Sequence, residues 1–218
     1  MKKFKAAIFD MDGTLLDSMY IWRYLSYEYL KRNDIEMPED KDPKAIIGLW
    51  HAVDFLLENF DFKFSREEMH QKLLDVLADF YRNEAVFKPG AAEFLQELRR
   101  RNIPTLLFSA TPQHLLHIVL KRLDAEQYFS HGILSCDTIG HTKHEEEAFF
   151  AATRHLGVEA DEVMIFEDAL YAARTAKKAG FTLGIISDRE EHHEETMREL
   201  ADFYVEKDWA EFPVDRFF

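Results

Sequence analysis

The stretch Lys5-Ala6-Ala7-Ile8-Phe9-Asp10-Met11-Asp12-Gly13-Thr14-Leu15-Leu16-Asp17-Ser18 decides the fold of this 218-residue chain. Its opening is a short apolar run with few polar interruptions, the pattern of a strand buried in a parallel sheet. Two aspartates stand where that strand must end, and a glycine follows at once. Alternation along extended backbone sends Asp10 and Asp12 to the same side. Two carboxylates that close resist joint ionisation unless a cation or a shared proton relieves them. A hard divalent ion with oxygen ligands is the ordinary relief, and Mg2+ suits a place where phosphate is also handled. The alternative is a β-turn rich in Asp and Gly, but turn chemistry needs only one Asp and no buried strand leading into it.

Three further places continue the pattern. Ile103-Pro104-Thr105-Leu106-Leu107-Phe108 is a second apolar run, ending at Ser109-Ala110-Thr111. Taken alone, Ser109 reads as a cap of the helix that starts near Pro112, and Thr111 is the better cap candidate. Val163-Met164-Ile165-Phe166-Glu167-Asp168 is a third run, ending in paired acids. The segment from Ala169 to Gly180 is helical in character and closes on a glycine. The alternative for the paired acids is an acidic first turn that complements the start of that helix. Lys143, fourteen residues before Gly157, reads alone as a solvated surface charge.

Taken in order, these segments resemble the motifs of the haloacid dehalogenase-like superfamily of phosphatases and mutases, and the resemblance spans nearly the whole chain. It is to the branch of β-phosphoglucomutase and phosphoglycolate phosphatase, which carries a helical cap. The resemblance implies that Asp10 is the nucleophile that takes a phosphoryl group and Asp12 the general acid/base. It implies phosphate binding by Ser109, with Ala110 beside it, and by Lys143. The implied metal set is Asp10, the Asp12 main-chain carbonyl, Asp168 and Glu167, the last directly or through water, with Mg2+ as cofactor. General chemistry agrees, since a carboxylate can accept a phosphoryl group covalently and a second acid can manage the proton. Two departures stand out. The family's Pro-x-Pro after the lysine is His144-Glu145-Glu146 here, which predicts a less rigid loop. Its Ser and Gly after the paired acids are Ala169 and Ala172.

The predicted architecture is a doubly wound, Rossmann-like α/β core with an inserted helical cap. These apolar strands each end in chemistry and lead into helical sequence. A further strand is expected at Thr182–Ile186 and a short edge strand at Phe203–Val205, with an acidic helix near His192–Leu200. The core is assigned to residues 1–17 and 87–218 and the cap to 18–86, where Trp22, Leu25 and Tyr29, then Phe55 and Asn59, then Met69, Leu73 and Leu77 recur at helical spacing. Closure of such a cap would exclude water and set substrate choice.

The expected activity is Mg2+-dependent hydrolysis of a small phosphate monoester through an aspartyl-phosphate. A sugar-phosphate mutase shares every catalytic group, although its branch tends to place a histidine near where this chain has Trp22. A dehalogenase is disfavoured by Asp12, because a halide leaves without a proton. A non-catalytic binding module would be marked by loss of Asp10 or Asp12, and both are present.

Composition narrows the partners. A net charge of −14 disfavours nucleic acid and anionic membrane surfaces. It also makes a field hostile to phosphate esters, which Mg2+ and Lys143 must reverse locally. The single Cys136 excludes an internal disulfide and suits a reducing cytoplasm. No signal peptide or membrane-length apolar run is read, and a monomer is the default. Among the histidines, His141 and His144 flank Lys143 and His192-His193 sit together, but neither pair has a convincing third ligand, so a transition-metal site is not expected. Trp22, Trp50 and Phe55 are expected to pack within the cap. Few basic residues lie between Ile46 and Asp61, which favours a small or partly apolar monophosphate as substrate.

Overall fold

The computed structural model describes residues 3–38, 40–41 and 48–218. Two compact units emerge, Met1–Asp17 with Val86–Phe218, and Ser18–Ala85.

The first unit is built on six parallel strands: β1 (Ala6–Phe9), β2 (Thr105–Ser109), β3 (Ile133–Ser135), β4 (Val163–Glu167), β5 (Thr182–Ile186) and β6 (Phe203–Val205). Their order is β3-β2-β1-β4-β5-β6, so the predicted strand at Phe203–Val205 is indeed at an edge. β1 lies between β2 and β4, with Ile8 level with Leu106 on one side and Ile165 on the other. Central strands are buried on both faces, and β1, β2 and β4 are buried at every position, as continuous apolar runs require.

Alternation assigns those residues to two layers. Ala6, Ile8, Leu106, Phe108, Val163 and Ile165 join one apolar cluster with α8 (Glu146–Leu156) and α9 (Leu170–Lys178), through Phe149, Ala152, Ala172 and Ala176. Phe9 and Phe166 stack at 4.7 Å and belong to an aromatic cluster with Phe94, Trp209 and Phe212. Phe94 lies on α5 (Ala91–Arg100). Gly184 on β5 is required by this packing, because a Cβ there would stand 2.5 Å from the Phe166 ring. The remaining α-helices of the unit are α6 (Gln113–Arg122), α7 (Cys136–Ile139), α10 (Glu194–Leu200) and α11 (Val214–Phe217). β3 has no run of its own in the sequence reading, since three residues are too few to show a period.

The second unit contains α1 (Met19–Arg23), α2 (Leu25–Arg32), α3 (Leu49–Asn59) and α4 (Arg66–Asn83), with no strand among its described residues. α4 opens on a capping box in which the Ser65 hydroxyl and the Glu68 carboxylate each satisfy the other residue's N–H. Met69, Leu73 and Leu77 lie on its buried face as their spacing predicts. Trp22 and Leu25–Tyr29, one pattern in sequence, fall on two helices separated at Tyr24. Trp22 packs inside the unit, its indole N–H donating to the Tyr81 hydroxyl at 3.1 Å, and Phe55 meets Phe60 edge-on. Trp50 does not follow, being 46% exposed and stacked on His70. Of the stretch used to argue substrate charge, Ile46 and Ile47 lie outside the described residues.

Where the first unit gives way to the second, its own chain is stitched together. The Asp17 N–H donates to the Val86 carbonyl at 3.0 Å, and the Lys88 N–H to the Leu15 carbonyl at 2.8 Å.

Candidate active site

Parallel strands in a doubly wound sheet collect loops at their carboxyl ends, and ligands bind there. β1 runs into Asp10, whose N–H still donates to Phe166 on β4 at 3.0 Å. The chain then turns sharply: Leu15 and Leu16 N–H groups both return to the Met11 carbonyl, and Gly13 sits at φ 80°, a conformation glycine adopts freely. β2 ends at Ser109 and β4 at Glu167. The loop from α7 to α8 supplies Lys143.

The structure brings Asp10, Lys143, Glu167 and Asp168 together. Lys143 Nζ donates to Asp10 Oδ1 and Glu167 Oε1, each at 2.5 Å, with all three residues buried. Carboxylate oxygens of Asp10, Glu167 and Asp168 lie within 4.8 Å of one another. Burial, and then the Glu167 charge, raise Asp10 to about 7 although Lys143 opposes them. Burial first, then Asp10 and Glu167, hold Asp168 well above the ordinary carboxylate range. Burial works against the Lys143 charge, but Asp10 and Glu167 outweigh it and keep the ammonium above its usual value. The centre therefore holds more buried negative charge than Lys143 can balance.

That excess, with an all-oxygen donor set, fits a hard divalent cation. Glu167 has both oxygens occupied, Oε1 by Lys143 and Oε2 by the main-chain N–H groups of Asp168 and Ala169 at 3.1 and 3.3 Å. Asp10 and Asp168 are thus the better donors within the cluster. Asp168 is aimed by the Thr14 hydroxyl, which donates to its Oδ1 at 2.8 Å.

Asp12 stands apart from this cluster. Its carboxylate accepts the Thr111 hydroxyl at 2.6 Å, so the residue read as a helix cap is no cap. α6 instead begins behind Pro112, with no side-chain capping bond. Ser109 is buried and its Oγ accepts the Thr111 N–H at 3.2 Å, whereas Ala110 is exposed.

The lysine loop is fastened by other means than proline. Glu145 accepts the Thr142 N–H and hydroxyl at 3.0 and 3.1 Å and contacts His141 Nδ1 at 2.9 Å. His144 stacks on Tyr171 of α9, ring centroids 4.3 Å apart. These contacts tie the loop to the helix that follows Asp168.

Sequence reasoning missed Thr14, Thr111 and one ion pair. Lys88 Nζ meets Asp188 Oδ2 at 2.7 Å and the Ser187 carbonyl at 2.8 Å, both side chains nearly buried. Thr14 was available as part of the Asp-Gly-Thr signature, and Thr111 as the polar residue two places after Ser109. Lys88 and Asp188 carry no local signal.

The fold and the site define a doubly wound α/β enzyme with a buried acid-and-lysine centre at its strand ends. Residues 4–180 match the haloacid dehalogenase-like hydrolase family, and the chain belongs to it. Similar proteins include a "Phosphorylated carbohydrates phosphatase" of Thermotoga maritima, 29% identical over 187 residues that cover 81% of this chain and 82% of the relative. "Hexitol phosphatase B" of Escherichia coli is 22% identical over 80% of this chain and 79% of its own length. Among solved structures, CbbY from Rhodobacter sphaeroides in complex with phosphate shares the fold, with a TM-score of 0.76, 20% identity and 94% of each chain covered. No helix among the described residues is long and apolar enough to cross a membrane.

Proposed function

We propose that the protein is a Mg2+-dependent phosphatase acting on a small sugar or polyol monophosphate through an aspartyl-phosphate on Asp10. The observation that carries this reading is the buried Lys143, bonded at once to Asp10 and Glu167 with Asp168 alongside. A lysine so placed orients the attacking carboxylate and offers positive charge to phosphoryl oxygens, and catalysis of phosphoryl transfer consists mainly of such positioning and charge. A divalent cation held by Asp10 and Asp168, with the Asp12 carbonyl, would neutralise further charge on those oxygens.

In the first half-reaction an Asp10 oxygen bonds to phosphorus as the ester P–O bond breaks, and Asp12 gives its proton to the departing alkoxide. Asp12 then takes a proton from water, whose oxygen bonds to phosphorus as the Asp10–phosphorus bond breaks. Inorganic phosphate leaves and Asp10 returns to a carboxylate. Ser109 serves the phosphoryl oxygens with its hydroxyl, and Ala110 lies beside it.

The substrate class draws on the relatives: those just described act, by name, on phosphorylated carbohydrates and hexitol phosphate, and two from Arabidopsis thaliana on glycerol 3-phosphate. The test is phosphate release from sugar, polyol and nucleoside monophosphates, with Mg2+ and with chelator. Metal-dependent release that vanishes in Asp10→Asn is expected. Release that survives chelation or that substitution would overturn the reading, as would conversion of a sugar phosphate into an isomer with no phosphate set free.

A further inference from the structure

Thr111 has no part in the mechanism above, yet it is one of the most firmly held residues near the centre. It is buried, as is Asp12, and its hydroxyl donates to Asp12 Oδ2 at 2.6 Å. Its own backbone is fixed from two sides. The Thr111 N–H donates to Ser109 Oγ at 3.2 Å, and the Thr111 carbonyl accepts the Ser135 hydroxyl at 2.6 Å. Ser135 is fully buried at the end of β3. One threonine thus links the ends of β1, β2 and β3, and the terminus of that link is one chosen oxygen of Asp12.

A carboxylic acid can carry its proton on either oxygen, and a neutral acid aimed wrongly is no acid catalyst. A hydroxyl that donates to one carboxyl oxygen fixes the plane and direction of the group. We propose that Thr111 is the positioning residue for Asp12, holding its carboxyl by Oδ2 in the orientation from which it serves the leaving oxygen. The inference rests on Asp12 being the general acid of the proposed reaction.

Leaving-group chemistry provides a test that a merely structural role would not meet. An alkoxide needs the proton as it departs, whereas p-nitrophenolate leaves well without one. The quantity to measure is kcat/KM with Mg2+ on glycerol phosphate and on p-nitrophenyl phosphate, because it reports steps up to transfer onto Asp10 and excludes later hydrolysis. General acid catalysis contributes about 10²- to 10⁴-fold. Thr111→Val, which keeps shape and loses the donor, should therefore lower kcat/KM on the alkyl ester about 10- to 100-fold. The aryl ester should change by less than about 3-fold, and Thr111→Ser should restore the alkyl rate. Should Thr111→Val melt below the assay temperature, Thr111→Ala is read by the same ratio. Equal losses on both esters, or none, would overturn the inference. Asp12→Asn separates the two readings: if it discriminates between the esters and Thr111→Val does not, only the role of Thr111 falls. If Asp12→Asn does not discriminate, Asp12 is not the acid.

Discussion

Replacing Asp10 by Asn should remove the activity and raise the stability of the metal-free protein. The Asp10 carboxyl is pushed from an ordinary 3.8 to about 7, chiefly by burial. At about 1.4 kcal/mol per pH unit, ionised Asp10 costs the fold about 4 kcal/mol. The sign follows from proton binding: between pH 4 and 7 the folded state holds a proton that the unfolded state has released, so wild-type stability falls as pH rises through that window. Asparagine avoids this cost but makes a poorer partner for Lys143, so about half, some 2 kcal/mol, should be recovered. For a chain of this size that is a rise in Tm of about 4–8 °C. The assay is thermal unfolding in chelator at pH 5, 6, 7 and 8. The advantage of Asp10→Asn should grow up to pH 7 and then level off. Added Mg2+ should narrow or reverse it, because a ligand that binds only the folded wild type stabilises it by mass action. Equal melting temperatures at pH 8 in chelator, or an advantage independent of pH, would refute the reasoning.

Three other outcomes are expected. Lys143→Met leaves Asp10 and Glu167 without their counter-charge in a buried place, so stability in chelator at pH 8 should drop by about 3–5 kcal/mol, and by less at pH 5, where Asp10 is protonated; urea unfolding at the two pH values measures this. Gly184→Ala drives a Cβ to 2.5 Å from the Phe166 ring and should cost about 1–3 kcal/mol by the same method, since that ring is already held by Phe9, Phe94, Trp209 and Phe212. Burial raises the Cys136 thiol to about 11, so native protein at pH 8 should react with a thiol reagent about 100-fold more slowly than unfolded chain.

How much of this was legible in the sequence depends on the range of each signal. β1, β2, β4 and β5 are four- or five-residue apolar runs, and buried parallel strands announce themselves that way. Asp10, Glu167 and Asp168 were visible because each stands directly after or at the end of such a run. Lys143 came only from register with a family, as nothing in its neighbours marks a buried ammonium. β3 was too short to show a pattern, and with it went Ser135 and the support of Thr111. The helical unit was legible as helical but not in its breaks, because Tyr24 is no helix breaker and the separation of α1 from α2 has no residue to signal it. Thr111 was misread for a physical reason: a threonine before a helix is usually its cap, and only the fold reveals a carboxylate 99 residues earlier competing for the same hydroxyl.

The hydrogen bond from Asp17 to Val86 has a consequence for the history of such a chain. Ser18–Ala85 departs and returns through one doorway, framed by that bond and by the one from Lys88 to Leu15, so to the sheet it is equivalent to a tight hairpin loop. Closing a loop grows dearer only slowly with length, by about 0.6 kcal/mol for each doubling, and an insert that folds with its ends adjoining avoids even much of that. A lineage can therefore lengthen, shorten or exchange what hangs from the doorway while the pairing of β1 with β2 and β4, and the charges gathered at their ends, pass unchanged from one descendant to the next.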